Sequence, residues 1–272
     1  MFERPSSQNA LIGSQLLRQA EQKSNVAAEK YRINMKPFVD LYGLEQVQSD
    51  YAEVKSRLDT HENNNTPAEK LGKIFENAFI DSANNHNWLG ERSEVIKASL
   101  YDDFHGIDMI STFVPEGKQA QSLVLGSDLT FSKNSVGKKF EKTLRSVCAG
   151  HLATIKYFHS DLEHTTGRKT NVPRTIIGLD KHNLPEMIRL WVHDPKNPLE
   201  EYKSILIHQI YNQVSALRSH LGDILGKDHK AYIAYDRTTE IVADLREKII
   251  PFRELPKDMI TEEIFTAMDS LS

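Results

Sequence analysis

The spacing of apolar residues divides the chain into a helical opening, a strand-bearing middle and a helical end. Leu11, Ile12, Leu16 and Leu17 recur at helical spacing, as do Phe38, Leu41, Leu44, Val47 and Tyr51, and no strand pattern appears before position 58. His61–Thr66 (HENNNT) is a polar break. Thr66, Pro67 and Glu69 then read as the N-cap, first-turn proline and capping box of a new helix. Leu71, Ile74, Phe75, Ala78 and Phe79 form its apolar face. Gly72 and Glu76, four apart, stack on the shoulder of that face. Gly72 leaves room there for another backbone, and a glutamate at a shoulder is most often simply solvated.

The period changes to two at Ser93–Leu100, which predicts a strand, and Tyr101–Asp103 predicts a turn. The stretch His105–Ser132 then carries two apolar runs joined by a polar turn, Pro115–Gln121. Each run holds one aspartate, Asp108 and Asp128. Alternation puts Asp108, Ile110 and Thr112 on one face of the first strand. In the second it puts Val124, Asp128 and Thr130 on one face, with Leu123, Leu125, Leu129 and Phe131 on the other. A buried carboxylate without a partner is costly, so such residues are normally paired or bound to a metal ion.

After Ser132–Ser135 the pattern returns to helical spacing. Val136, Phe140, Leu144, Val147, His151, Ile155 and Phe158 predict one long helix with a buried stripe. Lys138, Lys142, Arg145 and Lys156 take the opposite face, and Lys139 falls on the shoulder nearer the core. His151 reads as a core histidine and Cys148 as a small packed residue. Residues 161–172 read as a polar loop, Pro173–Asp180 as a strand and Leu184–Val192 as a short helix. Leu199–Leu225 is a long helix with Ile205, Ile210, Val214, Leu217 and Leu221 in its stripe. Helical segments at 231–249 and 257–269 come next, interrupted at Pro251 and Pro256. The pattern divides the chain into a helical segment over 1–62, an α/β core over 66–195 and a helical segment over 196–272. Amphipathic helices at both ends read first as ordinary packing, with a homo-oligomer through these segments as the alternative.

Composition narrows the classes. With 34 basic and 38 acidic side chains the net charge is −4, and the pI is about 6.3, so bulk charge does not advertise nucleic-acid binding. The single cysteine excludes an internal disulfide framework and suits a reducing compartment. The opening MFERPSSQNA has no apolar core for a leader, and no apolar run approaches the roughly 18 residues of a membrane span. A cytoplasmic protein without membrane association is expected. No GxSxG, HExxH, paired CxxC or phosphate loop occurs, and His182, His193 and His208 lack metal-ligand spacing.

The order helix, three strands, helix, strand over Thr66–Asp180 resembles the core of the PD-(D/E)XK nuclease superfamily. Gly72-x-x-x-Glu76 is similar to its first-helix element, Gly106-Ile107-Asp108 to its second-strand aspartate, and Asp128 to the acidic residue of its third strand. The resemblance implies an α/β, restriction-endonuclease-like core with helical additions at both ends. It implies a Mg²⁺-dependent endonuclease acting on a nucleic-acid phosphodiester, with Glu76, Asp108 and Asp128 as metal ligands. Hard oxygen ligands suit Mg²⁺, which activates water and offsets phosphate charge. In that family a lysine stands two residues after the third-strand acid; here Thr130 does. Lys139 is the best replacement, ahead of Lys133 and Lys138. The alternative is a catalytically inactive nuclease-fold protein that binds or assembles. Lys133, Lys138, Lys139, Lys142, Arg145, Arg168, Lys169 and Arg174 form a candidate phosphate-facing cluster, and no aromatic stacking groups stand out beside them.

Overall fold

The computed structural model describes residues 13–61, 66–114, 122–197, 199–249 and 259–269. The helical opening comprises α1 (Ser14–Tyr31), a 3₁₀ turn at Lys36–Phe38 that runs into α2 (Val39–Tyr42), and α3 (Leu44–His61). Leu11 and Ile12 of the first stripe lie outside the described residues. α4 (Pro67–Asn85) begins as its sequence dictates: the Glu69 amide donates to Thr66 Oγ1 at 3.2 Å, and the Thr66 amide donates to the Glu69 carboxylate at 3.1 Å. That reciprocal cap satisfies two otherwise orphaned donors.

Four strands form a mixed sheet in the order β1 (Ser93–Lys97), β2 (Met109–Phe113), β3 (Leu123–Thr130) and β6 (Arg174–Gly178). β1, β2 and β3 are an antiparallel meander, and β6 lies parallel to β3. The register sets Lys97, Met109, Ser127 and Thr175 in one row across the sheet. The larger core cluster joins α1, α4, α6 (Lys133–Cys148), α7 (Leu184–His193), α8 (Glu200–Ile224) and α9 (Lys230–Ile249) to residues such as Met109, Leu125 and Ile177. A second cluster packs Ile110 and Val124 against Phe38, Val47, Ile155, Tyr157 and Phe158. The central strands are therefore covered on both faces, and β2 and β3 are buried along their whole length.

Both outer edges of this sheet are sealed, β1 by a side chain and a backbone bridge and β6 by side chains. On β1, the Asn84 carboxamide accepts from Val95 N at 3.1 Å and donates to Val95 O at 2.6 Å, and Ile33 N donates to Lys97 O at 3.0 Å. On β6, alternate residues are satisfied in the same way. Tyr235 Oη accepts from Arg174 N and donates to Arg174 O. Gln213 pairs with both groups of Ile176, and Gln209 with both groups of Gly178. An unpaired strand edge invites pairing with another chain; here helices α8 and α9 close it.

Three elements differ from the pattern. The helix expected to reach Phe158 ends at Cys148, because the chain turns at Ala149–Gly150 with Gly150 in the left-handed region (φ 79). The chain then forms a hairpin, β4 (Ala153–Ser160) and β5 (Thr165–Val172), where the pattern predicts helix and then loop. His151 is accordingly exposed instead of lying in a core stripe. Ile155 and Phe158 are buried, but from a strand. Third, the expected turn at Tyr101–Asp103 lies within a short helix, α5 (Leu100–Phe104), capped by Ser99 Oγ. The joining turn Pro115–Gln121 and the break at Pro251 and Pro256 lie outside the described residues. The last helix, α10 (Met259–Asp269), packs on α6 and α8. Among the described residues no helix is long and apolar enough to cross a membrane.

Candidate active site at the end of the sheet

The three acids singled out by sequence gather where β1 and β3 end and β2 begins. Asp108 immediately precedes β2, and its backbone continues the pairing: Asp108 N donates to Ser127 O at 2.9 Å, and Ala98 N donates to Asp108 O at 3.1 Å. Its carboxylate turns to the tip of β3 and accepts from Leu129 N at 2.7 Å. Burial, then the charges of Glu76 and Asp128, push the Asp108 carboxyl well above the usual carboxylate range, while the Leu129 N–H acts the other way. Acids on α4, on β3 and just before β2 thus lie close enough for charge to act between them, and Asp103 on α5 adds to the same effect on Asp108.

Each of the other two acids faces a lysine. Asp128 Oδ1 is ion-paired with Lys139, whose amine also donates to Leu129 O at 3.3 Å. Lys139 therefore reaches the acid of the third strand from the first turns of α6. The alternatives do not: Lys133 pairs with Glu263 on α10 at 2.8 Å, and Lys138 is exposed. Thr130, at the position of the missing lysine, is buried. Its hydroxyl bonds Ser135 Oγ at 2.9 Å and accepts from Ser132 N at 3.2 Å, so it shapes the entry into α6.

Glu76 meets Lys97, at 2.6 Å. Lys97, 1% exposed on β1, is not among the residues that the sequence pattern singled out. The signal is nonetheless local: Lys97 is a lone charge in the apolar run Val95–Ala98, the same signature that marks Asp108 and Asp128. Gly72 beside Glu76 admits the Phe131 ring, 3.3 Å from where a Cβ would stand, instead of a backbone segment.

A third cation, Arg174, enters from β6. Its Nη2 lies 4.0 Å from Asp128 Oδ2 and donates to the Gly106 carbonyl. Gly106 has φ 84, and a Cβ there would fall 2.8 Å from Nη2, so this approach requires glycine. Tyr235 holds the Arg174 backbone at both its N–H (3.1 Å) and its carbonyl (3.0 Å). Among the other basic residues of the candidate cluster, Lys169 pairs with Glu163 and Arg145 with Glu141, so neither is directed at this site.

No protein-family model, curated protein or solved structure matches the chain. The site must be read from its own chemistry.

That chemistry is three carboxylates interleaved with three cations. For a divalent ion the donor set is suitable in kind, all hard oxygen, and Asp108 bears a carboxyl whose charge its acidic neighbours oppose. As the side chains stand, no group of three His, Cys, Asp or Glu residues among the described residues is arranged to hold a metal ion. Lys97 and Lys139 occupy one oxygen each of Glu76 and Asp128.

Proposed function

We propose that this site hydrolyses a nucleic-acid phosphodiester with the help of a divalent cation, in a core of the restriction-endonuclease-like kind. The observation that carries the reading is the Lys139–Asp128 ion pair. It supplies, from α6, the amine that Thr130 cannot supply from β3. The strand order and the parallel pairing of β3 with β6 support the fold assignment.

Glu76, Asp108 and Asp128 would hold the ion, Mg²⁺ or Mn²⁺, which when bound lowers the pKa of water and offsets phosphate charge. This chain's own residues have separable roles. Leu129 N–H orients the Asp108 carboxylate. Lys139 stands where an amine can orient a nucleophilic water or meet a phosphate oxygen. Arg174, fixed at its backbone by Tyr235, sets a permanent positive charge beside Asp128. Lys97 neutralises Glu76 from inside the protein.

A second reading rests on the same ion pairs: with Glu76 and Asp128 already neutralised, the site would bind nucleic acid without cutting it. Incubation of plasmid and oligonucleotide substrates with Mg²⁺ or Mn²⁺ separates the two. Cleavage that needs the metal and is lost in Asp108→Asn supports hydrolysis. Binding without cleavage supports the second reading, and equal cleavage by Asp108→Asn would remove this site from the reaction.

A further inference from the structure

Between β1 and Asp108 in the chain lies α5, which packs on α3 and β4 and which the hydrolytic chemistry does not use. α5 and the residue after it present Tyr101, Phe104 and His105, two half-buried rings and one exposed ring. The His105 imidazole lies 4.3 Å from the Tyr101 ring at 34°, and the Phe104 ring meets it edge-on at 5.4 Å and 88°. His105 Nδ1 is engaged with the Tyr101 carbonyl at 2.7 Å, which fixes the ring's rotation.

The platform is rigid because α5 is anchored from beneath. Asp102, 1% exposed, accepts from Lys156 N at 2.8 Å, from Tyr157 N at 3.0 Å and from Ser99 Oγ at 2.8 Å. On the other side, Arg174 grips the Gly106 carbonyl directly after His105. The same guanidinium thus ties the platform to the acidic site, and Asp108 lies three residues beyond His105.

Cations border the rings. Lys156 Nζ is 4.9 Å from the Tyr101 centroid and is held by Asp50. Arg168, exposed on β5, stands opposite the Lys156–Tyr157 bulge of β4, whose amides hold Asp102; its charge acts at the Tyr101 hydroxyl against those of Asp50, Glu53 and Asp102.

A fixed aromatic surface with an exposed arginine at its margin, next to a site for phosphodiesters, has the chemistry of a nucleobase stack. We infer that the exposed His105 ring, backed by Tyr101 and flanked by Phe104, is a stacking platform for an unpaired base, with Arg168 meeting the adjoining phosphate. The substrate is then single-stranded nucleic acid, or an unpaired stretch of it. Bases inside a duplex are already stacked on their neighbours and cannot use such a surface. This inference rests on the reading of the acidic site as a phosphodiester site, and it is tested without cleavage.

The test is fluorescence anisotropy with a fluorescein-labelled oligonucleotide of about twelve nucleotides, within the span of one single-strand binding site, and with its duplex, both in EDTA. Wild type should bind the single strand more tightly than the duplex. His105→Ala should weaken single-strand binding about tenfold, the order of one lost base stack, and His105→Tyr should restore it. Arg168→Ala should weaken binding and flatten its dependence on salt. The platform is overturned by equal or tighter binding of the duplex, by no single-strand binding, by unchanged affinity in His105→Ala, or by failure of His105→Tyr to restore it. An unchanged salt dependence in Arg168→Ala removes that residue's part. Absence of cleavage in a metal-supplemented assay, with these binding results intact, would refute the hydrolytic reading and leave the platform standing.

Discussion

The Gln213 carboxamide pairs with Ile176 as a neighbouring strand would: its oxygen accepts from Ile176 N at 2.9 Å and its nitrogen donates to Ile176 O at 2.6 Å. Gln209, one helical turn earlier on α8, does the same for Gly178 at 2.9 Å in both directions. Residues two apart on a strand and four apart on a helix advance by nearly the same distance, about 6 to 7 Å, so the two ladders run in step.

Gln213→Leu should therefore destabilise the protein well beyond an ordinary surface change. It leaves a buried N–H and a buried C=O unsatisfied, at about 1 to 3 kcal/mol for each group. Denaturant unfolding should show a loss of about 2 to 6 kcal/mol by that sum, with an unaltered slope. A loss below about 0.5 kcal/mol, the range of neutral surface substitutions, would mean that water or a relaxed backbone replaces the amide.

Asp108 should cost stability at neutral pH. Its folded-state pKa is raised, so the folded protein holds the proton more tightly than the unfolded chain. Stability is then greater below the ordinary carboxylate range and falls as pH rises from there through the folded pKa. Asp108→Asn keeps an oxygen for Leu129 N–H and removes the charge. Its melting temperature should exceed that of wild type near neutral pH, and the difference should shrink as pH falls toward about 4, the ordinary carboxylate range. A variant that melts lower at neutral pH would contradict the crowding of the three acids.

Gly106→Ala tests the Arg174 seat. The added Cβ would meet Nη2 at 2.8 Å in a left-handed backbone. A loss of about 1 to 2 kcal/mol is expected from the backbone alone. Affinity for single-stranded oligonucleotide should fall as well, since the same residue adjoins the stacking rings. Wild-type stability would show that the loop tolerates the side chain.

Much of this arrangement is legible in the chain. The Thr66–Glu69 capping box, the strand that holds Asp128 and the Lys139 shoulder depend on neighbours in sequence, and local pattern reports those; Asp108 falls one residue short of the strand expected to hold it. The β4–β5 hairpin is not legible. Val147, Ile155 and Phe158 fit a helical stripe as well as Ile155, Tyr157 and Phe158 fit a strand, and only the turn at Gly150 decides between them. Partners distant in sequence are hidden for a different reason. Nothing near Lys97 announces Glu76, 21 residues earlier, and nothing near Arg174 announces Tyr235, 61 residues later. The aromatic platform is hidden in the same way, because its rings belong to α5, far in sequence from the lysines of α6 that mark the candidate phosphate-facing cluster.

If Glu76, Asp108 and Asp128 act together as one cation site, calorimetric titration of the protein with Mn²⁺ will report it. Saturable binding of the ion by wild type, abolished in Asp108→Asn and weakened in Asp128→Asn, is the predicted result. No measurable binding by wild type, or equal affinity in Asp108→Asn, would contradict it.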